Sequence, residues 1–290
     1  MHEGEEEMGR HEVAVGTKSV GFVPIVCSSV GRRKKRRIAI CRAGMTRTSM
    51  IVKKSKRSYT LLTMFLELLS SNPVVALAWV AAILFSLTIH EFSHALVSGW
   101  RGDRTAEREG RLTLNPLAHL DITGFIPILL LGFGWAKPVP YNPYNLKNPK
   151  WDSVLIALAG PVSNFLLAAL SALAIRFLVG SQIVTSLNLL IVFLFLLIIL
   201  NLFLMFFNVV PIHPLDGSKL FFALFDAPRY ARLREFVAVR GPQVLLLLVI
   251  LSFVTRFDVF FFVSNPAFAT CDVLLGDSCS AFFGIVFGSL

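Results

Sequence analysis

Charge is scarce in this chain. Only 16% of its 290 residues are charged, while 55% are hydrophobic, and the mean hydropathy is +0.68. A soluble domain carries about a quarter charged residues, so the shortage argues against soluble domains and predicts a multi-span membrane protein. Tyrosine is also scarce, at 4 residues against 26 phenylalanines, a balance that suits lipid-facing surfaces. The four cysteines, Cys27, Cys41, Cys271 and Cys279, form no CxxC pair and none lies near the motif histidines in sequence. Zinc-finger and dithiol redox readings therefore have little support; Cys271 and Cys279 could pair if their side of the membrane is oxidising. Acid is missing over a long stretch. After five glutamates in residues 1–12, no Asp or Glu occurs before Glu67, while twelve Lys or Arg fall between Arg32 and Arg57. The run Arg32-Arg33-Lys34-Lys35-Arg36-Arg37 has no interleaved aromatics. It reads as a basic flank of a membrane domain, and no specific nucleic acid is expected as a partner. The start is too acidic for a good transit peptide and has no signal-peptide core.

Hydropathy divides the rest. Residues 1–58 form a polar, basic extension expected to be disordered. Residues 59–265 hold four clear apolar runs, Val74–Ser98, Val154–Val179, Ile183–Val210 and Val244–Val263. Residues 266–290 form an apolar tail broken by Asp272, Gly276 and Asp277. Leu61–Leu69 predicts a short apolar helix ended by Ser70-Ser71-Asn72-Pro73. Ile122–Trp135 would cover roughly 21 Å as a helix, short of the ~30 Å hydrocarbon core. It reads as a re-entrant or interfacial segment. Lys219–Arg240 reads as a basic surface segment. The fold expected is an all-α multi-pass helical bundle, integral to a cell or organelle membrane.

The run Val74–Gly99 has one full charge, Glu91, and contains His90-Glu91-Phe92-Ser93-His94. On a helix this HExxH pattern puts both histidines one turn apart on one face, where they can bind one zinc. The intervening glutamate can act as general base on water. An ionisable cluster in a membrane-length helix is costly and marks a functional site by default; the bland alternative is a buried His–Glu hydrogen-bonded pair. Catalytic zinc needs a third protein ligand and an open position. Asp216 is the strongest candidate, since Pro211, Pro214 and Gly217 break the backbone around it after the longest apolar run. It could instead cap a helix over Ser218–Phe225. His213 and His119 are weaker candidates, each equally a loop histidine at the membrane surface.

Five boxes occur in order: HEFSHA at His90–Ala95, RLTLNPLAHLD at Arg111–Asp121, GWAKPVP at Gly134–Pro140, LAGPVSN at Leu158–Asn164 and FNVVPIHPLDG at Phe207–Gly217. Together they resemble the site-2 protease family, peptidase family M50, in its short form without PDZ or CBS modules. The resemblance covers about residues 74–220. It implies one zinc per chain held by His90, His94 and Asp216, with Glu91 activating water and then protonating the leaving amine. It implies that Asn164 and Asn208 bind the substrate backbone, and that the substrate is a membrane-anchored protein cut in or near a transmembrane segment within the lipid bilayer. A departure is His213, where the family box usually reads proline. The second reading is a membrane pseudoprotease that binds helices or zinc without cutting; a zinc transporter would need ligands spread along a pathway.

One zinc shared by His90, His94 and Asp216 requires the first and third runs to end on the same side, so Ile122–Trp135 must not cross. The positive-inside rule places residues 32–57 and 219–240 on the same side, whereas three crossings separate them. Metal geometry is the harder constraint and is kept; a segment before Val74 entering the membrane would reconcile the two.

Overall fold

The computed structural model describes residues 26–29, 39–42, 69–131, 134–183, 188–255, 258–276, 279 and 282. The chain divides into two units, Met1–Lys56 and Arg57–Leu290. In the first, β1 (Val26–Ser29) pairs antiparallel with β2 (Ala39–Arg42), with Cys27 opposite Cys41. The remainder of the expected disordered extension, and the expected helix at Leu61–Leu69 apart from Leu69 itself, lie outside the described residues.

The second unit is helical throughout its described secondary structure: α1 (Pro73–Trp100), α2 (Thr105–Arg108), α3 (Ile122–Leu131), α4 (Pro149–Gly180), α5 (Leu189–Asn208), α6 (Gly217–Leu224), α7 (Ala231–Val254) and α8 (Phe261–Leu275). Two of the long helices start at an Asn-Pro pair. The Asn72 and Asn148 side chains accept the backbone N–H of Val75 and Trp151, and Pro73 and Pro149 occupy the first helical position, where a missing N–H costs nothing. Asn188 caps α5 in the same way through Leu190.

Four stretches are long and apolar enough to cross a membrane: Pro73–Trp100, Pro149–Gly180, Leu189–Asn208 and Pro228–Ser252. The first three match the apolar runs of the sequence. The fourth is shifted from the expected Val244–Val263. Its helix extends back through Arg232, Arg234 and Arg240, all good helix formers, and stops at Val254. Asp258 then accepts the Phe260 N–H and the Ser264 hydroxyl proton, starting α8. Residues 266–275 continue that helix rather than beginning a separate tail.

α5 is the centre of the bundle. Ile191, Phe195, Ile198 and Leu202 are buried among Ala82 of α1, Ala168, Ala172 and Ile175 of α4, and Ala267 and Cys271 of α8. Between lipid-solvated helices close approach through small residues, more than apolar burial, drives association. The alanines at these contacts serve that purpose, while Leu166, Leu170, Leu173 and Phe177 point outward.

α3 is too short to cross and contains Pro127. Its two ends meet: Trp135 Nε1 donates to Asp121 Oδ2 at 3.0 Å, and Lys137 N–H donates to His119 O at 2.9 Å. The segment therefore enters and leaves at one end of the bundle, as its length predicts. α1 ends where α4 begins, because the Arg101 guanidinium pairs with Asp152, a fully buried carboxylate. The same end holds Asp103, buried and surrounded by donors from Thr105, Asn142 and Asn145.

Candidate metal centre

His90 and His94 lie on the inward face of α1, both buried. At 1.5 Å per residue they sit about 15 and 9 Å inside the helix end at Trp100. Asp216 arrives from the break between α5 and α6. His90 Nε2 is 3.2 Å and His94 Nε2 3.4 Å from Asp216 Oδ2, and the two Nε2 atoms are 3.0 Å apart. Among the described residues these three form the one group of His, Cys, Asp or Glu able to hold a metal ion.

The spacing fits zinc. Ligands at 2.0–2.1 Å in tetrahedral arrangement stand about 3.3 Å from one another, close to all three separations. The donor chemistry agrees. Two imidazole nitrogens face each other and a carboxylate oxygen that makes no hydrogen bond, a set of lone pairs that calls for a cation between them. Asp216 is only partly exposed; burial opposes its ionisation, but the imidazoles of His90 and His94 facing it outweigh that and hold it well below the usual carboxylate range.

α4 completes the centre. His94 Nδ1–H donates to the Ile156 carbonyl at 2.7 Å, which leaves Nε2 for a metal. The Asn164 amide lies 3.1 Å from His90 Nδ1. With its nitrogen toward the ring, Asn164 has a buried, unpartnered Oδ1. Turning the amide over lets His90 Nδ1–H donate to that oxygen and again frees Nε2. Gly160 makes the approach possible: a Cβ there would stand 2.5 Å from His90 Cε1 and from His94 Nε2.

Glu91 is 9% exposed and has no hydrogen-bond or ion-pair partner among the described residues. Asn208 is half-buried, its amide donating to Leu204 O at 3.0 Å. His119 bonds Thr113 O at 2.9 Å and stands outside the group. His213 is likewise outside it, on the Asp216 loop, where its carbonyl abuts Gly241 of α7. Burial and the nearby Lys219 charge push its imidazole pKa down. Neither the Ile156 carbonyl nor Gly160 offers a side chain that marks it in the sequence. The Gly-Pro pair in the middle of an apolar run was the available signal.

The family model described as Peptidase family M50 matches residues 182–252, a stretch holding Asn208 and Asp216. YwhC of Bacillus subtilis (strain 168), whose name marks it a candidate zinc metalloprotease, is 43% identical over 144 residues, 49% of this chain and 66% of that protein. Over these stretches the chain is similar to peptidase family M50. A second relative, Rip2 of Mycolicibacterium smegmatis (strain ATCC 700084 / mc(2)155), with the same kind of name, is 37% identical over 97 residues, 31% of this chain and 37% of that protein. The chain thus spans less than two thirds of the length of each relative it matches. No solved structure matches it. The M50 stretch stops short of the HExxH helix, and folding unites the two: it brings Asp216 to the histidines of α1. With four helices long and apolar enough to cross a membrane, the chain is an integral multi-pass membrane protein.

Proposed function

We propose that the protein is a zinc-dependent endopeptidase that cuts membrane-anchored proteins in or near their transmembrane segments, one zinc serving each chain. The observation that carries this reading is the convergence of His90, His94 and Asp216 at tetrahedral spacing, beside Glu91, on helices apolar enough to span a membrane. His90 Nε2, His94 Nε2 and Asp216 Oδ2 would hold the ion. When bound, zinc supplies Lewis-acid stabilisation at the scissile carbonyl.

The chain's own residues do the rest. Glu91, with no hydrogen-bond or ion-pair partner among the described residues, takes a proton from the attacking water and delivers it to the leaving amine. Ile156 O and Asn164 fix the tautomer and angle of the two rings. The burial of Asn164 against His90 favours this orienting role over a direct substrate contact. Asn208, half-buried at the end of α5, is the better placed of the two asparagines to pair with an unwound substrate backbone. Unwinding comes first, because a helix keeps its own carbonyls satisfied in lipid.

The test is zinc content and cleavage of a membrane-helix reporter by purified wild type and Glu91→Gln. Stoichiometric zinc in both with cleavage in the wild type alone supports the assignment. Zinc in both without cleavage of several reporters favours the pseudoprotease. Loss of zinc in Glu91→Gln would remove Glu91 from the role of base.

A further inference from the structure

The end of the bundle remote from the metal centre carries a covalent feature of its own. α4 passes the centre at Gly160 and reaches Arg176 about 24 Å further along its axis, at 1.5 Å per residue. There Arg176 donates to the carbonyl of Leu274, in the last turn of α8. α8 stops at Gly276, whose φ of 75° is the left-handed conformation that ends helices and turns the chain back. The returning chain places the Cys279 N–H on Asp272 Oδ1 at 2.6 Å. It also brings Cys279 to Cys271, with Cα atoms 5.8 Å apart and the sulfurs bonded. Phe282 then rests on Phe195 of α5, with ring centroids 4.6 Å apart.

Charge distinguishes the two ends independently. The segment joining α1 to α4, at the metal end, carries Arg101, Arg104, Arg108, Arg111, Lys137 and Lys147, and Lys219 and Arg229 follow α5 at that end. The 181–188 connection between α4 and α5, at the remote end, has no Lys or Arg. Short loops rich in Lys and Arg stay on the cytoplasmic side or its topological equivalent, and disulfides persist on the other.

We propose that Cys271 and Cys279 form a structural disulfide in the membrane-embedded protein, that the bundle end bearing it faces an oxidising compartment, and that the bridge holds the chain returning from α8 against that helix, so that Phe282 seats on Phe195 of α5. Formation is thiol–disulfide exchange with a disulfide donor of that compartment. The two thiols lose two protons and two electrons, one S–S bond forms, and the donor leaves as a dithiol. This assignment does not depend on protease activity.

The full chain in its native membrane, with Cys27→Ser and Cys41→Ser so that Cys271 and Cys279 are its sole cysteines, is denatured and treated with a maleimide before and after reduction. The expected result is no adduct before reduction, a gain of two adducts after it, and a cross-linked peptide joining residues 271 and 279 in the unreduced digest. Alkylation of both thiols without reductant would overturn the bridge. For sidedness, Ser181→Cys at the remote end and Glu109→Cys in the metal-end segment, each on a background lacking all four native cysteines, are labelled in sealed vesicles with an impermeant maleimide. Labelling from opposite sides, with Ser181→Cys on the oxidising side, supports the orientation. Labelling of Glu109→Cys from the oxidising side overturns it.

Discussion

At position 160 there is no room for a side chain. A Cβ would press on both metal-facing imidazoles at 2.5 Å, and neither ring can retreat, since one is tied to Ile156 O and the other to Asn164. Gly160→Ala should therefore lower zinc affinity at least tenfold while leaving the helices formed, measured by chelator competition and circular dichroism; unchanged affinity would show that α4 yields there. Asn164→Ala should weaken zinc binding by about 10–100-fold, the usual cost of losing a group that orients a ligand histidine. If Asn164 instead served the substrate, zinc affinity would hold and only KM would rise. The grouping of His90 and His94 with Asp216 was legible in the sequence, because residue type and break residues mark them. Gly160 was not, since its necessity arises from how closely α4 crosses α1, and linear spacing does not encode that distance.

Elements meet at the metal end through buried carboxylates outside the centre. Asp103 collects the Thr105 N–H and hydroxyl, the Asn142 N–H and the Asn145 amide, anchoring the 141–145 segment beside the end of α1. Asp103→Ala would strand several donors, each costing about 1–3 kcal/mol if left dry. Trypsin should then cut after Lys147 much faster than in wild type, with zinc retained; an unchanged digest would mean that other contacts hold the segment. Burial raises the Asp103 carboxyl's pKa, but hydrogen bonds from Asn145, Thr105 and Asn142 overcome this and leave it below the ordinary value. Its folded pKa is depressed, so its stabilisation is complete above the unfolded value of about 3.9 and is lost as pH falls through the folded one. Detachment of this segment is thus expected in acid below about pH 4 and should lose that pH dependence in Asp103→Asn. At this scale three spans and the short α3 were legible from hydropathy and length. The fourth was misplaced because an apolar window registers side chains: it passed over the Thr255–Asp258 break, and it discarded arginines whose aliphatic stems suit a helix near the membrane surface.

Over the whole molecule, the metal centre and the packed core are separate constructions. Ala168, Ala172, Ile191, Phe195 and Ala267 close the bundle away from the histidines, while the centre is gathered at one end from α1, α4 and the α5–α6 break. A small zinc domain unfolds on losing its ion because little else holds it; here four helices remain packed through contacts the ion does not touch. Removing zinc should therefore cost only the linkage term, about 2.7 kcal/mol when zinc stands at a hundred times its dissociation constant. The melting temperature in detergent should fall by a few degrees and recover on adding zinc, with helical content unchanged throughout. Asp216→Asn should show the lower melting temperature at the outset and respond less to added zinc. Collapse of helicity on chelation would instead mean that the ion organises the bundle, and that the alanine-lined contacts around α5 are too weak to persist alone.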